Sequence, residues 1–347
     1  MAAPPKFRAL PGELALIESI RRKAATVRPG SRALRLGIGD DCALLRPKSG
    51  HEICVTTDFS LEGVHFRRDG HPPQSVGHRC LARGLSDLAA MGAEPVAVFL
   101  SLALPARTPQ SWLDGFLDGF LALAACHRVP LAGGDTAQSP TGIAADIVAI
   151  GQVPAGTARL RSAARPGDTL YVTGSLGGSA AELLLLERAP KKYRRLTRAA
   201  PDHPHLYPQP RLAVGRRLRT LAHPMIDLSD GLSTDLAHLC AASGLAAVLD
   251  EAALPIHPLA VQAVHAGLAA SALELALHGG EDYELLFTAA PSVRIPRKLS
   301  GVPIRPIGTM RKSGRNQPNI TLATRNGRQM LIPPRGWEHF SQKNRTK

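Results

Sequence analysis

Apolar residues recur along this chain with two alternating periods, one helical and one strand-like, and the alternation predicts a mixed α/β protein. Helical spacing marks residues 12–27 through Leu14, Ile17, Ile20 and Ala24, residues 75–91 through Val76, Cys80, Leu81, Leu85 and Leu88, and residues 110–126 through Leu113, Phe116, Phe120 and Leu123. Short β-like runs at 34–38, 53–57, 96–104, 129–132 and 143–153 lie around these helices. The first half therefore reads as one α/β domain, 1–154. A second domain, 155–347, restarts at the turn Arg165-Pro166-Gly167-Asp168 and continues with a strand at 170–173, a glycine turn and a helix at 179–188. Strand 225–228, helix 232–242 and strand 283–288 follow, and Asn326-Gly327 predicts a hairpin between 320–324 and 329–332. Residues 189–210, rich in Pro, His and basic side chains, read as a surface excursion. No internal repeat is visible.

Composition narrows the class. With 347 residues, 44% of them hydrophobic, the chain has ample material for two buried cores. No apolar run follows residues 1–8, which predicts no secretory leader. The longest uncharged run, 252–273, holds Pro255, His257, Pro258, Gln262, His265 and Gly267 and reads as helix and loop rather than a membrane span. Five scattered cysteines without a C-x-x-C pair argue against a disulfide framework and a zinc site, and point to reduced cytoplasm. The net charge of +14 fits either nucleic acid or anionic substrates. Much of the excess lies in 21–23, 191–198, 211–219 and 294–347, with no zinc finger, RNP sequence or aromatic-basic interleaving. Nucleic-acid binding therefore stays a secondary reading.

The chemistry is concentrated in six segments that set carboxylates among small residues: GIGDD at 37–41, TTD at 56–58, SDLAAMGAEP at 86–95, GGDT at 133–136, IDLSDG at 226–231 and GGEDYELLF at 279–287. Taken singly each has a plain alternative. GIGDD fits a ligand loop or a hairpin turn; Thr56-Thr57-Asp58 offers hard oxygen ligands or a turn; Asp87 flanks an apolar helix stripe or a solvated face. Gly133 and Gly134 expose backbone N–H groups beside Asp135, and Asp227, Ser229 and Asp230 fall at a strand end and helix start, where capping also suits them. Together they suggest acids gathered at strand ends in need of counter-charge, which hard divalent cations on a polyphosphate supply. The stretch Gly174-Ser175-Leu176-Gly177-Gly178 is not followed by a Lys-Ser/Thr pair, and no Walker A motif occurs, so it reads as a strand-to-helix connection.

In this order the motifs, with VHF at 64–66 and RSAARPGD at 161–168, resemble the thiamine-monophosphate kinase family, part of a superfamily shared with aminoimidazole ribonucleotide synthetase and selenophosphate synthetase. The resemblance runs from Leu36 to Phe340 and implies two mixed α/β domains. It implies an N-terminal domain binding ATP and Mg²⁺, paired by its strands across a homodimer axis, and a C-terminal domain completing the substrate site. The implied reaction is direct in-line transfer of the ATP γ-phosphoryl group to thiamine monophosphate. Carried over by position, Asp41, Thr56, Thr57, Asp58, Asp87, Asp135, Asp227 and Asp230 match metal ligands for several Mg²⁺ ions; the pattern points to Asp41 rather than Asp40. Gly134, Asp135, Arg161 and Ser229 match ATP contacts, and His65, Glu281 and Trp337 match substrate contacts. Asp58, Asp135 and Arg161 are the implied catalytic residues. Other ATP-using members of the superfamily, and a basic nucleic-acid binder, are the competing readings.

Overall fold

Every second residue of the middle strands is apolar and buried, which gives the first sheet one face for helices. Helix α1 (Glu13–Ala24) leads into a ribbon of β1 (Leu34–Leu36) and β2 (Leu44–Leu45). Strand β3 (His51–Leu61), helix α2 (Pro73–Ala90), β4 (Glu94–Pro105), α3 (Gln110–His127), β5 (Leu131–Ser139) and β6 (Ala144–Pro154) follow. Four strands pair in the order β3-β6-β4-β5, antiparallel except for β4 with β5. Helices α2 and α3 cross closely because a Cβ on Gly77 would lie 1.9 Å from the Phe116 carbonyl oxygen, and one on Gly119 1.9 Å from that of Gln74. On the other face β3 leaves Ile53, Val55 and Phe59 exposed at 44%, 61% and 59%.

The computed structural model describes residues 12–314 and 320–337. Its two compact units are Met1–Leu88 with Glu94–Ala155 and Ala189–Pro201, and Ala89–Ala93 with Gly156–Arg188 and Asp202–Lys347. After a turn of 3₁₀ helix at Arg161–Ala163 the chain forms β7 (Thr169–Thr173), α4 (Gly178–Arg188), α5 (Pro190–Tyr193), α6 (Leu212–Leu218), β8 (Met225–Asp227), α7 (Leu232–Ser243) and β9 (Leu245–Asp250). Then come α8 (Pro258–His265), α9 (Ala272–His278), β10 (Leu285–Ala289), β11 (Lys298–Leu299), β12 (Val302–Lys312), β13 (Ile320–Ala323) and β14 (Gln329–Leu331). The second sheet runs β14-β13-β9-β12-β7-β10-β8, with β11 on β12. Leu232, Leu236, Leu239 and Cys240 of α7 pack among Leu170, Val172, Ile226, Leu286, Ile307 and Met310 to make its core.

Three features depart from the sequence pattern. Strands β3 and β5 are longer than the runs at 53–57 and 129–132, so Asp58 and Asp135 lie within strands rather than at their ends. The β-branched Thr56 and Thr57 suit a strand, and both strands are the outer ones of the sheet, where polar residues and glycines are tolerated. Strand β12, which is not among the runs read from the sequence, carries Pro303 and Pro306; Pro306 is accommodated at a register irregularity between Pro306 and Gly308. The surface excursion at 189–210 is a correction. Ala189–Pro201 belongs to the first unit, while His205, Leu206 and Tyr207 are buried in the second at 2%, 0% and 2% exposure. Two apolar anchors and the buried acceptor Glu182 outweigh the polar look of that stretch.

No described helix is long and apolar enough to cross a membrane. All five cysteines are free thiols. Residues 1–11, 315–319 and 338–347, and with them part of the basic tail, lie outside the described residues.

Candidate functional site

The first unit gathers its hydroxyl and acids by simple alternation. Thr56 and Asp58 are two residues apart on β3 and share the face turned toward α2, where Asp87 and Arg83 sit one helical turn apart. The Thr56 hydroxyl donates to Asp87 Oδ2. Arg83 Nε lies 3.6 Å from Asp58 Oδ1. Burial pushes the Asp58 carboxyl up to about 6; Arg83 pulls it down, while Asp87 and Asp146 push it up. Thr57 faces the opposite side, so its hydroxyl does not join this cluster.

Asp135 is elsewhere in the same sheet. It lies on β5, and the register row Asp58–Ile147–Leu100–Gly134 puts three strand spacings, roughly 14 Å, between β3 and β5. Gly134 has φ +151°, and a Cβ there would lie 1.8 Å from the Leu100 carbonyl oxygen, so the backbone of GGDT is drawn tight against β4. Asp135 Oδ1 accepts the Thr136 N–H at 2.8 Å. Ile38 of the GIGDD loop joins Ile17, Ile20, Leu131 and Gly133–Thr136 around a cleft of about 100 Å³, so these two motifs do meet. Asp41 is exposed in the same loop and donates its N–H to Asp40 Oδ1 at 2.9 Å. His65 stands after β3, its Nδ1 accepting the Leu61 N–H at 2.9 Å and its carbonyl accepting from Arg79 at 3.0 Å.

In the second unit, four matched residues converge on the start of α7. Ser229 and Asp230 follow the buried Asp227 at the end of β8. The Glu281 N–H donates to the Ser229 carbonyl at 2.7 Å, and the Trp337 N–H to the Asp230 carbonyl at 3.2 Å. Gly336 donates to Thr234 Oγ1 at 2.9 Å, which seats the Arg335–Trp337 segment and leaves Trp337 44% exposed. Glu281 and Tyr283 adopt φ of 63° and 50°, the left-handed region that non-glycine residues enter rarely and at functional turns. Arg161 is not among them. It is exposed, and its carbonyl accepts from Ser243 at the far end of α7, about 18 Å along that helix from Asp230.

Several further residues hold these sites: Asp235 lies just past the IDLSDG motif, and Asp282 and Glu284 lie within GGEDYELLF without a role implied for them. Asp235 Oδ2 accepts the N–H groups of Asp230 and Gly231 at 3.1 and 3.0 Å; burial first, then the carboxylates of Asp227 and Asp230, raise its carboxyl to about 8. Asp282 accepts from Gly177 and Ser179 at 2.6 and 3.1 Å, and burial raises it to about 7. The glycine-rich turn before α4 thus already gives its N–H groups to the chain's own acid. Glu284 is held by Arg211 at 2.8 and 2.5 Å and by Thr173 at 2.6 Å. Among the described residues no group of three or more His, Cys, Asp and Glu side chains converges to hold a metal. Mg²⁺ commonly takes one or two carboxylates with water and substrate phosphate, so the Thr56–Asp58–Asp87 oxygens fit it without a closed cage.

Comparison with known proteins places this chain among relatives. The profile of the AIR synthase related protein N-terminal domain matches residues 39–153, and that of the C-terminal domain residues 165–319. A thiamine-monophosphate kinase of Salmonella typhimurium is 38% identical over 336 residues, 95% of this chain and 98% of the relative. The crystal structure of a thiamine-monophosphate kinase from Stenotrophomonas maltophilia is 35% identical with a TM-score of 0.74, covering 91% of this chain and 98% of that one. AaThiL complexed with AMPPCP and TMP is 28% identical with a TM-score of 0.72, covering 95% and 97%.

Proposed function

We propose a specific reaction for this chain, which belongs to the thiamine-monophosphate kinase family and is an enzyme of that class. A phosphate oxygen of thiamine monophosphate attacks the γ-phosphorus of ATP, the bond from that phosphorus to the β–γ bridging oxygen breaks, and thiamine diphosphate and ADP leave. The observation that carries this reading is 38% identity to such a kinase along 95% of the chain. The pairing of AMPPCP with TMP in the AaThiL complex supports the same two substrates here.

Phosphoryl transfer asks a protein mainly for alignment and charge neutralisation. Thr56, Asp58, Asp87 and Asp135, with Asp41, Asp227 and Asp230, are the residues whose oxygens would hold Mg²⁺, and Thr57 would join them through its backbone carbonyl. Bound Mg²⁺ would neutralise phosphate charge and orient the nucleotide. Asp58 is suited to a cation, because burial and neighbouring acids already make its charge costly without one. The amides of Gly134 and Asp135, the Ser229 hydroxyl and Arg161 contact ATP. His65, Glu281 and Trp337 hold thiamine monophosphate, with the half-exposed Trp337 ring stacking on the cationic thiazolium. The acceptor oxygen is already ionised, so no general base is required.

The working form is a homodimer. The exposed Ile53, Val55 and Phe59 of β3 give it an apolar face. Asp58 and Asp135 sit on opposite outer strands of the sheet, too far apart to share an ion within one chain. A second copy whose β5 meets this β3 across a two-fold axis would bring its Asp135 to this Asp58. Co-expressing Asp58→Asn and Asp135→Asn chains then restores up to about a quarter of wild-type activity, since one site in each mixed dimer is intact; no restoration contradicts the shared site. The division at residue 154 into a nucleotide and metal domain and a substrate domain, and a cytoplasmic location, belong to the same proposal.

The reaction itself is tested by incubating the purified protein with ATP, Mg²⁺ and thiamine monophosphate. Thiamine diphosphate should accumulate one-for-one with ADP and only when all three are present; ATP turnover without it contradicts the proposal.

A further inference from the structure

Glu281 stands in a turn whose backbone is fixed from two sides. Its N–H donates to the Ser229 carbonyl at 2.7 Å, and the next residue, the buried Asp282, takes the Gly177 and Ser179 N–H groups before and at the start of α4. A left-handed φ of 63° at Glu281 is held in place by those bonds. They fix the main chain, and a buried histidine meets the carboxylate arm. His205, 2% exposed, has its Nδ1 3.5 Å from Glu281 Oε2 and 3.0 Å from Ser179 Oγ. The imidazole is seated in turn by its own main chain, since the His205 and Leu206 N–H groups donate to Glu182 Oε2 at 2.7 and 3.3 Å, while Glu182 Oε1 meets His203 Nδ1 at 2.6 Å. Ser179 and Glu182 lie on one face of the first turns of α4. The same helix start therefore anchors Asp282 and seats His205.

We infer that His205 is a positioning residue for substrate recognition: seated by Ser179 and Glu182, it orients the Glu281 carboxylate toward the organic part of the phosphate acceptor. This rests on the reading of Glu281 as a substrate contact. A carboxylate directed by an imidazole suits an acceptor with a cationic or N–H-bearing heterocycle, and the apparent affinity for that acceptor should depend on His205 while the nucleotide's should not. A purely structural histidine would lower stability without separating the two substrates.

Kinetics with thiamine monophosphate and Mg²⁺–ATP test this. His205→Ala is expected to raise KM for thiamine monophosphate about tenfold, as loss of one polar contact to a carboxylate implies, with kcat and the ATP constant within twofold. His205→Asn, which keeps a side-chain N–H, should recover most of the loss. In a Glu281→Gln background His205→Ala should add little, because the two act through one contact. Where His205→Ala fails to fold, Ser179→Ala supplies the same test by unseating the ring. An unchanged KM in a folded variant, or a full tenfold penalty persisting in the Glu281→Gln background, overturns the inference. Active Glu281→Gln enzyme with a normal KM removes the premise and overturns it too, whereas absence of any kinase activity in the unaltered protein is a failure of the proposed reaction.

Discussion

Two pairs of acids, one pair in each unit, meet different surroundings and serve opposite purposes. In the first, Asp58 and Asp87 lie on regular elements, β3 and α2, where Arg83 lies beside Asp58, the Thr56 hydroxyl donates to Asp87, and the two acids are close enough for Asp87 to push the Asp58 carboxyl up. In the second, Asp235, in the first turn of α7, takes the Asp230 and Gly231 N–H groups, and Asp282, in the turn after α9, takes those of Gly177 and Ser179. An acid that takes main-chain N–H groups is a strut that fixes a turn, even beside other acids as Asp235 is; Asp58, pushed up by burial, Asp87 and Asp146, is a place for a cation. Spacing in the sequence does not separate these jobs. What each carboxylate meets does.

The largest difference should appear on removing one charge from each kind. Asp58→Asn should lower turnover at least about a hundredfold at saturating Mg²⁺, as single electrostatic contacts to a transition state do, without lowering the melting temperature of the ligand-free protein. Turnover near wild type would make Asp58 a strut like the others. Trp337→Ala comes next. Its main-chain bond to Asp230 survives the change, so KM for thiamine monophosphate should rise about tenfold while the melting temperature holds; a fall in stability with both constants unchanged would make Trp337 an anchor of the C-terminal segment.

Smaller effects sharpen the contrast. Arg161→Ala should raise the ATP constant several-fold at most, since Arg161 is exposed and distant along α7 from Asp230. Neutralising Lys191, Lys192, Arg194 and Arg195 together should leave the kinetics alone; the reverse pattern would point to a functional basic patch. The struts predict a pH effect on folding. Asp235 and Asp282 titrate at about 8 and about 7 in the fold against 3.8 for an ordinary aspartate, so the folded chain holds more protons than the unfolded one between those values. Their contribution makes ligand-free stability fall as pH rises from about 4 to about 8 and level off above. Asp235→Asn should flatten that slope in denaturant titrations at several pH values, and an unchanged slope would remove Asp235 from its cause.

Periodicity made much of the fold legible: α1, α2 and α3 fall where apolar residues recur every three or four positions. It failed where a local rule was outweighed. Strand β12 was not read from the sequence; it carries Pro303 and Pro306, which pairing around an irregularity accommodates because it does not need every N–H. The motif segments were legible through their residue types, but the assignment of Asp58 and Asp135 to strand ends was not right, because register and face decide what a strand residue meets. Ser229, Asp230, Glu281 and Trp337 share a locus that only tertiary structure brings together, over 108 positions of chain from Ser229 to Trp337. His205 gave no signal, sitting in a Pro- and His-rich stretch whose burial depends on Glu182 accepting its N–H.

Following the γ-phosphoryl group of labelled ATP tests the central claim most directly. With thiamine monophosphate and Mg²⁺ present, the label should appear in the terminal phosphate of thiamine diphosphate, one for each ADP formed, with none retained on the protein. Label found only in inorganic phosphate, or on the protein, would contradict direct transfer between the two phosphates and return the chain to a different ATP-using chemistry.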